Sequence, residues 1–173
     1  QRTNYTETDR QDTYINSTGR QMNFKDYLTE FDNPQIYCDM DGVLADFSGA
    51  FKKQFGGEFS DARWPELPVD WFLNLPKMRD ADRLWRFIGK HKPRILTAVP
   101  RSGRGAIAKR AGEDKISWMT ANFGVKRSDV YTVMRKDKKH FNTAHDGRPN
   151  VLIDDHFQNI EEWRMGGGLG VHH

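Results

Sequence analysis

Three short apolar runs in this chain each end abruptly on side chains that carry oxygen. Pro34-Gln35-Ile36-Tyr37-Cys38 runs into Asp39-Met40-Asp41-Gly42, Pro93-Arg94-Ile95-Leu96 into Thr97, and Asn150-Val151-Leu152-Ile153 into Asp154-Asp155. Runs that stay apolar at successive positions, rather than alternating, fit strands buried on both faces, the habit of parallel sheets. Asp129-Val130-Tyr131-Thr132-Val133-Met134 reads as a further strand. Helical spacing fills the intervals: Val43, Leu44, Phe47, Phe51 and Phe55 up to Gly56-Gly57, then Ala81 to Ile88, then about 104 to 122. Such alternation predicts an α/β, Rossmann-like, three-layer α/β/α fold whose parallel central sheet gathers functional groups beyond the carboxyl ends of its strands.

The length of 173 residues suits one such domain with a modest insertion. Residues 1–33 are polar and read as an arm with one or two helical turns over 23–31. Residues 34–55 and 80–173 form the expected core, and 56–79 a small helical cap inserted after the first strand, rich in breakers and holding Trp64, Trp71 and Phe72. Apolar residues make up 36% and the mean hydropathy is -0.83, with no apolar run near the ~18 residues of a membrane span. With one cysteine, Cys38, no internal disulfide is available, and a cytoplasmic location is expected. Basic residues number 27 against 24 acidic, a net charge of +3, which favours anionic substrates without demanding nucleic acid. The six histidines are dispersed and no zinc site is read; His172-His173 could be part of a tag or the end of a strand.

Carboxylates from Asp39, Asp41, Asp154 and Asp155 brought to one sheet edge would repel one another unless a cation neutralised them, and an all-oxygen donor set suits magnesium. Against a phosphate monoester, Asp39 is placed to act as a nucleophile that forms an acyl phosphate. Asp41, past a tight turn that Gly42 allows, can protonate the leaving oxygen and then activate water. Thr97 offers a hydroxyl to the phosphoryl oxygens, or caps the helix that follows. Lys115 is the expected lysine of that cradle, Lys109 the reserve, with Arg110, Lys136 and Lys138 as competitors.

These residues carry a resemblance. D-M-D-G-V-L-A-D-F at 39–47 resembles the first motif of the haloacid dehalogenase superfamily of aspartate-nucleophile phosphatases. I-L-T-A at 95–98 resembles the second, Lys115 the third and V-L-I-D-D at 151–155 the fourth, over residues 34 to about 165. Together with W-F-L-N-L-P-K-M at 71–78 they look like the 5′(3′)-deoxyribonucleotidase family. That resemblance implies Asp39 as nucleophile and magnesium ligand, Asp41 as acid/base that also offers its backbone carbonyl to the metal, and Asp154 or Asp155 as the remaining ligand. It implies that Phe47 and the Trp71-Phe72 pair face the nucleobase. Ala98 stands where many members have serine, His156 where arginine is common, and Arg135 opens a basic stretch suited to steering an anionic substrate. The expected substrate is a nucleoside monophosphate. The alternatives are a phosphatase of nucleic-acid ends or another small phosphate ester, and a non-catalytic scaffold whose arm engages a partner or a second copy in a homodimer.

Overall fold

The computed structural model of the chain describes Thr13–Ile15, Gln21–Asn23, Asp26, Leu28 and residues 34–173. It divides into two compact units, Gln1–Pro34 and Gln35–His173. In the first, β1 (Thr13–Ile15) pairs antiparallel with β2 (Gln21–Asn23), Tyr14 opposite Met22. Asp26 and Leu28 are helical. The hairpin departs from the sequence reading, because strands of three residues are too short to leave an alternating pattern. The remainder of the polar arm read over 1–33 lies outside the described residues.

The second unit is built on five parallel strands: β3 (Ile36–Cys38), β4 (Arg94–Ala98), β5 (Val130–Val133), β6 (Val151–Asp154) and β7 (Leu169–His172), in the order β5-β4-β3-β6-β7. Helices α1 (Phe47–Phe55), α2 (Ala81–Ile88), α3 (Ala106–Phe123) and α4 (Phe157–Met165) connect them and cover both faces. Tyr37, Leu96 and Leu152 come from three adjacent strands and form one buried cluster with Ile160 and Trp163 of α4. Their neighbours in sequence, Ile36, Cys38, Ile95 and Ile153, are just as buried and point to the other face, so both faces are apolar as the unbroken runs require. Trp163 is buried at no polar cost, since its Nε1 donates to the Asn150 carbonyl at 3.0 Å. His172 ends β7, so Leu-Gly-Val-His at 169–172 is part of the sheet. Among the described residues no helix is long and apolar enough to cross a membrane.

Two expected elements take another form. The helix read from Val43 starts at Phe47, where the Asp46 side chain accepts from Gly49 N at 2.8 Å. The residues before it wrap back on the end of β3, with Leu44 and Ala45 N–H both donating to Met40 O at 2.8 Å. The insertion contains two 3₁₀ turns, Asp61–Glu66 and Trp71–Asn74, where a helical cap was expected. Pro65 and Pro68 interrupt the backbone ladder too often for an α-helix. Met78 N donates to Leu44 O at 2.8 Å and Trp118 Nε1 of α3 to Leu75 O at 2.7 Å, which fastens the end of the insertion to the core.

Candidate active site

β3 is the middle strand. The chain leaves it toward β4 on one side and returns from β5 to β6 on the other, so the carboxyl end of β3 faces the crevice where the strand order switches. Asp39 is the first residue past that end. Its N–H continues the ladder to Ile153 O at 2.8 Å, and its Oδ1 accepts from Met40 N at 2.7 Å. Its Oδ2 meets Lys138 Nζ at 2.7 Å. Lys138 Nζ also donates to Asp154 Oδ2 at 2.8 Å, so one buried ammonium group joins the ends of β3 and β6.

The adjacent aspartates at the end of β6 have different surroundings. Asp154 is fully buried; its oxygens accept from His156 N at 2.8 Å, from Asn159 Nδ2 at 3.0 Å and from Lys138. Asp155 is exposed at the rim, and among the described residues its carboxylate receives only its own backbone amide. Oxygens of Asp39, Asp154 and Asp155 lie within 4.8 Å of one another. Burial raises the Asp154 pKa, and the neighbouring Asp39 charge adds to it against Lys138. Partial burial and the charges of Asp39 and Asp154 push Asp155 up to about 6. Burial alone would lower the Lys138 pKa, but attraction to Asp39 and Asp154 outweighs it and the pKa rises, so this lysine stays charged.

Asp41 stands apart from that group. Its Oδ2 is paired with Lys115 Nζ, and its Oδ1 is buried without a partner among the described residues. Lys115 is fully buried in α3 and also donates to Thr97 Oγ1 at 3.0 Å and to the Ala98 carbonyl at 2.6 Å. Thr97 therefore faces inward at the end of β4 and caps no helix; α3 begins after Gly105. Burial raises the Asp41 pKa, with Lys115 opposing. Gly42 has φ +76°, and a Cβ there would lie 2.1 Å from Asp155 Oδ2, so only glycine lets the loop after β3 approach the loop after β6.

A cavity of about 280 Å³ opens over these groups. Asp39, Asp41, Lys115, Lys138 and Asp155 form its polar floor, and Phe47, Trp64 and Phe72 its aromatic wall. Ala98 and Arg135 line it as well, the latter held by Glu162 at 3.2 Å and by Asn159 Oδ1 at 3.0 Å. Trp71 does not: it is buried behind the wall, its ring 5.8 Å from those of Phe47 and Phe55. The position read for Trp71 belongs to Trp64, whose ring lies edge-on to Phe59 and whose Nε1 donates to Asp61 at 3.2 Å. A 3₁₀ turn over Trp71–Asn74 sends adjacent side chains in different directions, so the Trp71-Phe72 pair could not share one face.

Lys138 appeared in the sequence only as one cation in a basic stretch. That stretch coils into a 3₁₀ helix, Arg135–Phe141, in which every third side chain falls on the same face. Arg135 then reaches the cavity, Lys138 the carboxylates and Phe141 the core beside Tyr37. The period of three, arginine to lysine to phenylalanine, is the trace it leaves in the sequence, too short over seven residues to single it out.

The donor set fits a hard divalent cation. Three carboxylates with one ammonium group leave a charge of −2, all donors are oxygen, and the Asp155 carboxylate has no other residue to neutralise it among those described. Asp39 and Asp155 would hold the ion, whereas Asp154, its oxygens already engaged, positions Lys138 and the turn after β6.

No protein-family profile matches the chain, and no curated protein does. Among solved structures it is similar to a hydrolase from Streptococcus pneumoniae TIGR4, at 13% identity and a TM-score of 0.47 over 80% of this chain and 92% of that one. It is also similar to a class C acid phosphatase from Bacillus anthracis with tungstate bound, at 10% identity and a TM-score of 0.48 over 76% of this chain and 56% of that one.

Proposed function

We propose that this chain is a magnesium-dependent phosphatase of the haloacid dehalogenase type that hydrolyses nucleoside monophosphates, deoxyribonucleotides foremost, through an acyl phosphate formed on Asp39. The observation that carries the reading is the floor of the cavity. A carboxylate at the switch point of a parallel sheet, an ammonium group beside it and a second carboxylate–ammonium pair, Asp41 with Lys115, all open onto one space. The order of the residues along the chain supports it, because Asp39, Asp41, Thr97 and the Asp154-Asp155 pair fall where the superfamily motifs place them.

In this reading a carboxylate oxygen of Asp39 bonds to phosphorus as the bond to the nucleoside oxygen breaks, and Asp41 gives that oxygen its proton. Asp41 then takes a proton from water as the water oxygen attacks the same phosphorus, releasing phosphate and restoring Asp39. Burial favours the protonated Asp41 that the first step needs, and Lys115 keeps the anion accessible for the second. Lys138 offsets charge beside Asp39 throughout, while Lys115, which lines the cavity and is anchored from behind by the buried Thr97 hydroxyl, would offer a donor to the phosphoryl oxygens. A magnesium ion held by Asp39, Asp155 and the Asp41 carbonyl would neutralise the phosphoryl charge. Phe47, Trp64 and Phe72 offer flat faces to a nucleobase of any identity.

Phosphate release from a panel of 5′- and 3′-(deoxy)nucleoside monophosphates, with and without magnesium, tests this, with Asp39→Asn alongside. Release by the wild type alone is expected. Turnover of an aryl phosphate but of no nucleotide leaves the chemistry and removes the substrate; an active Asp39→Asn removes both.

A further inference from the structure

Net charge over the whole chain is close to balance, but the charges are not evenly placed. Arg83 to Arg94 holds five lysines and arginines and no acid. A second cavity, about 530 Å³, lies where this stretch meets the loop after α3. Gln35 precedes β3, Arg94 opens β4 and Asp129 precedes β5, so the groove lies at the amino ends of the strands, across the sheet from the candidate active site.

Its lining joins cations to aromatic rings. Lys92, Arg94 and Lys126 supply the charge, with Asp129 the acid among them. Trp85 and Phe123 supply an aromatic floor, their centroids 5.1 Å apart, and Trp85 is only half buried. Lys92 and Lys126 are exposed and form no salt bridge among the described residues. Lys92 is also the one non-glycine residue in the left-handed region among those described, at φ +50°. Side chains rarely adopt such a conformation, and here it belongs to a residue bordering the groove.

We propose that this groove binds single-stranded nucleic acid, with phosphodiesters against Lys92, Arg94 and Lys126 and a base on Trp85. Exposed cations flanking a solvent-accessible aromatic face are the pairing that such strands require: charge along the backbone and a sequence-tolerant surface for a base. A purely anionic small molecule would leave the rings unused, and an apolar one the lysines. Three phosphate contacts imply that log affinity falls with log salt at a slope of about −2, at ~0.7 per contact for a single strand. Binding then weakens about 16-fold between 50 and 200 mM salt.

The probe is a 3′-fluorescein-labelled oligodeoxythymidine twelve nucleotides long with hydroxyl ends, titrated with the full chain by anisotropy. It has no terminal phosphate, so the result is independent of the proposed phosphatase activity. Expected are that salt dependence, quenching of tryptophan fluorescence, a tenfold or greater loss for Lys92→Glu/Lys126→Glu at unchanged circular dichroism and Tm, and a loss of similar size for Trp85→Leu. If the double variant does not fold, Lys126→Glu alone is expected to reduce the salt slope by about one contact's worth. The proposal is overturned if the wild type does not bind at 50 mM salt, if the variants bind as it does, or if heparin competes as well as oligonucleotide while Trp85→Leu changes nothing.

Discussion

Replacing Lys138 by methionine removes the one cation shared by Asp39 and Asp154 while keeping most of the side chain's volume. Its Nζ lies 2.7 Å and 2.8 Å from the two carboxylates, and all three groups are buried. Breaking a buried pair by deleting one partner costs about 3–5 kcal/mol, because a charge is left in a poorly polarisable surrounding. For a chain of this size that lowers Tm by about 6–20 °C, at about 2–4 °C per kcal/mol. The sign with pH follows from the same groups. Lys138 holds down the pKa values of Asp154 and Asp155, which are already raised by burial, so its loss raises them further. The folded variant then binds more protons than its unfolded chain, and its stability increases as pH falls through those values. Thermal unfolding of wild type and variant from pH 8 to pH 5 should show the gap narrowing toward acid. Without Lys138 the three carboxylates carry −3 rather than −2, so magnesium at pH 8 should raise the variant's Tm more than the wild type's. A gap below about 1 kcal/mol that is flat with pH and indifferent to magnesium would refute the reasoning.

Three other outcomes are expected. Gly42→Ala combines a φ of +76° with a Cβ 2.1 Å from Asp155 Oδ2, so it should destabilise the fold by about 1–3 kcal/mol and weaken divalent binding at least tenfold, as read by calorimetry. Asp155 has a pKa of about 6 against an ordinary 3.8; without a divalent ion its contribution to stability is present below 3.8 and lost as pH rises through about 6, and magnesium affinity should rise over the same interval and level off above it. Trp64→Ala should raise KM for nucleoside monophosphates several-fold and leave turnover of phenyl phosphate within about twofold, whereas Trp71→Ala, deleting a buried ring, should act on stability, by about 3–5 kcal/mol in urea unfolding.

How much of this was legible beforehand follows from what each signal measures. β3, β4 and β6 were readable because strands buried on both faces need unbroken apolar runs, and Asp39, Thr97 and Asp154 mark where those runs stop; β5, at the sheet edge with only Val130 buried, was readable from its β-branched and aromatic residues instead. Lys115 was readable from its place on a helix leading into a strand, but its pairing with Asp41, 74 residues away, depends on α3 bringing it to the ends of β3 and β4 and leaves no trace in either segment. The 3₁₀ segments were opaque for another reason: a period of three over four to seven residues does not stand out from irregular sequence. Trp71 and Phe72 were therefore read as one surface, and Lys138 as one cation among several.

The charges around the cavity constrain the order in which anything can bind there. Asp39, Asp41, Asp154 and Asp155 contribute −4 when ionised, Lys115 and Lys138 return +2, and both lysines are already committed to carboxylates. A phosphate dianion entering at −2 meets net repulsion in a partly enclosed space, where solvent screens it poorly. A divalent cation brings the total to zero, and its ligand oxygens are those that would otherwise face the phosphate. Protonation of Asp155 removes one of the charges but also one of the ligands, so acid cannot substitute for the cation. On the proposed function, phosphate binding and divalent binding would be linked through the same carboxylates, each strengthening the other by an equal factor. Neutralising Asp155 with Asp155→Asn should uncouple them, leaving phosphate affinity nearly independent of magnesium.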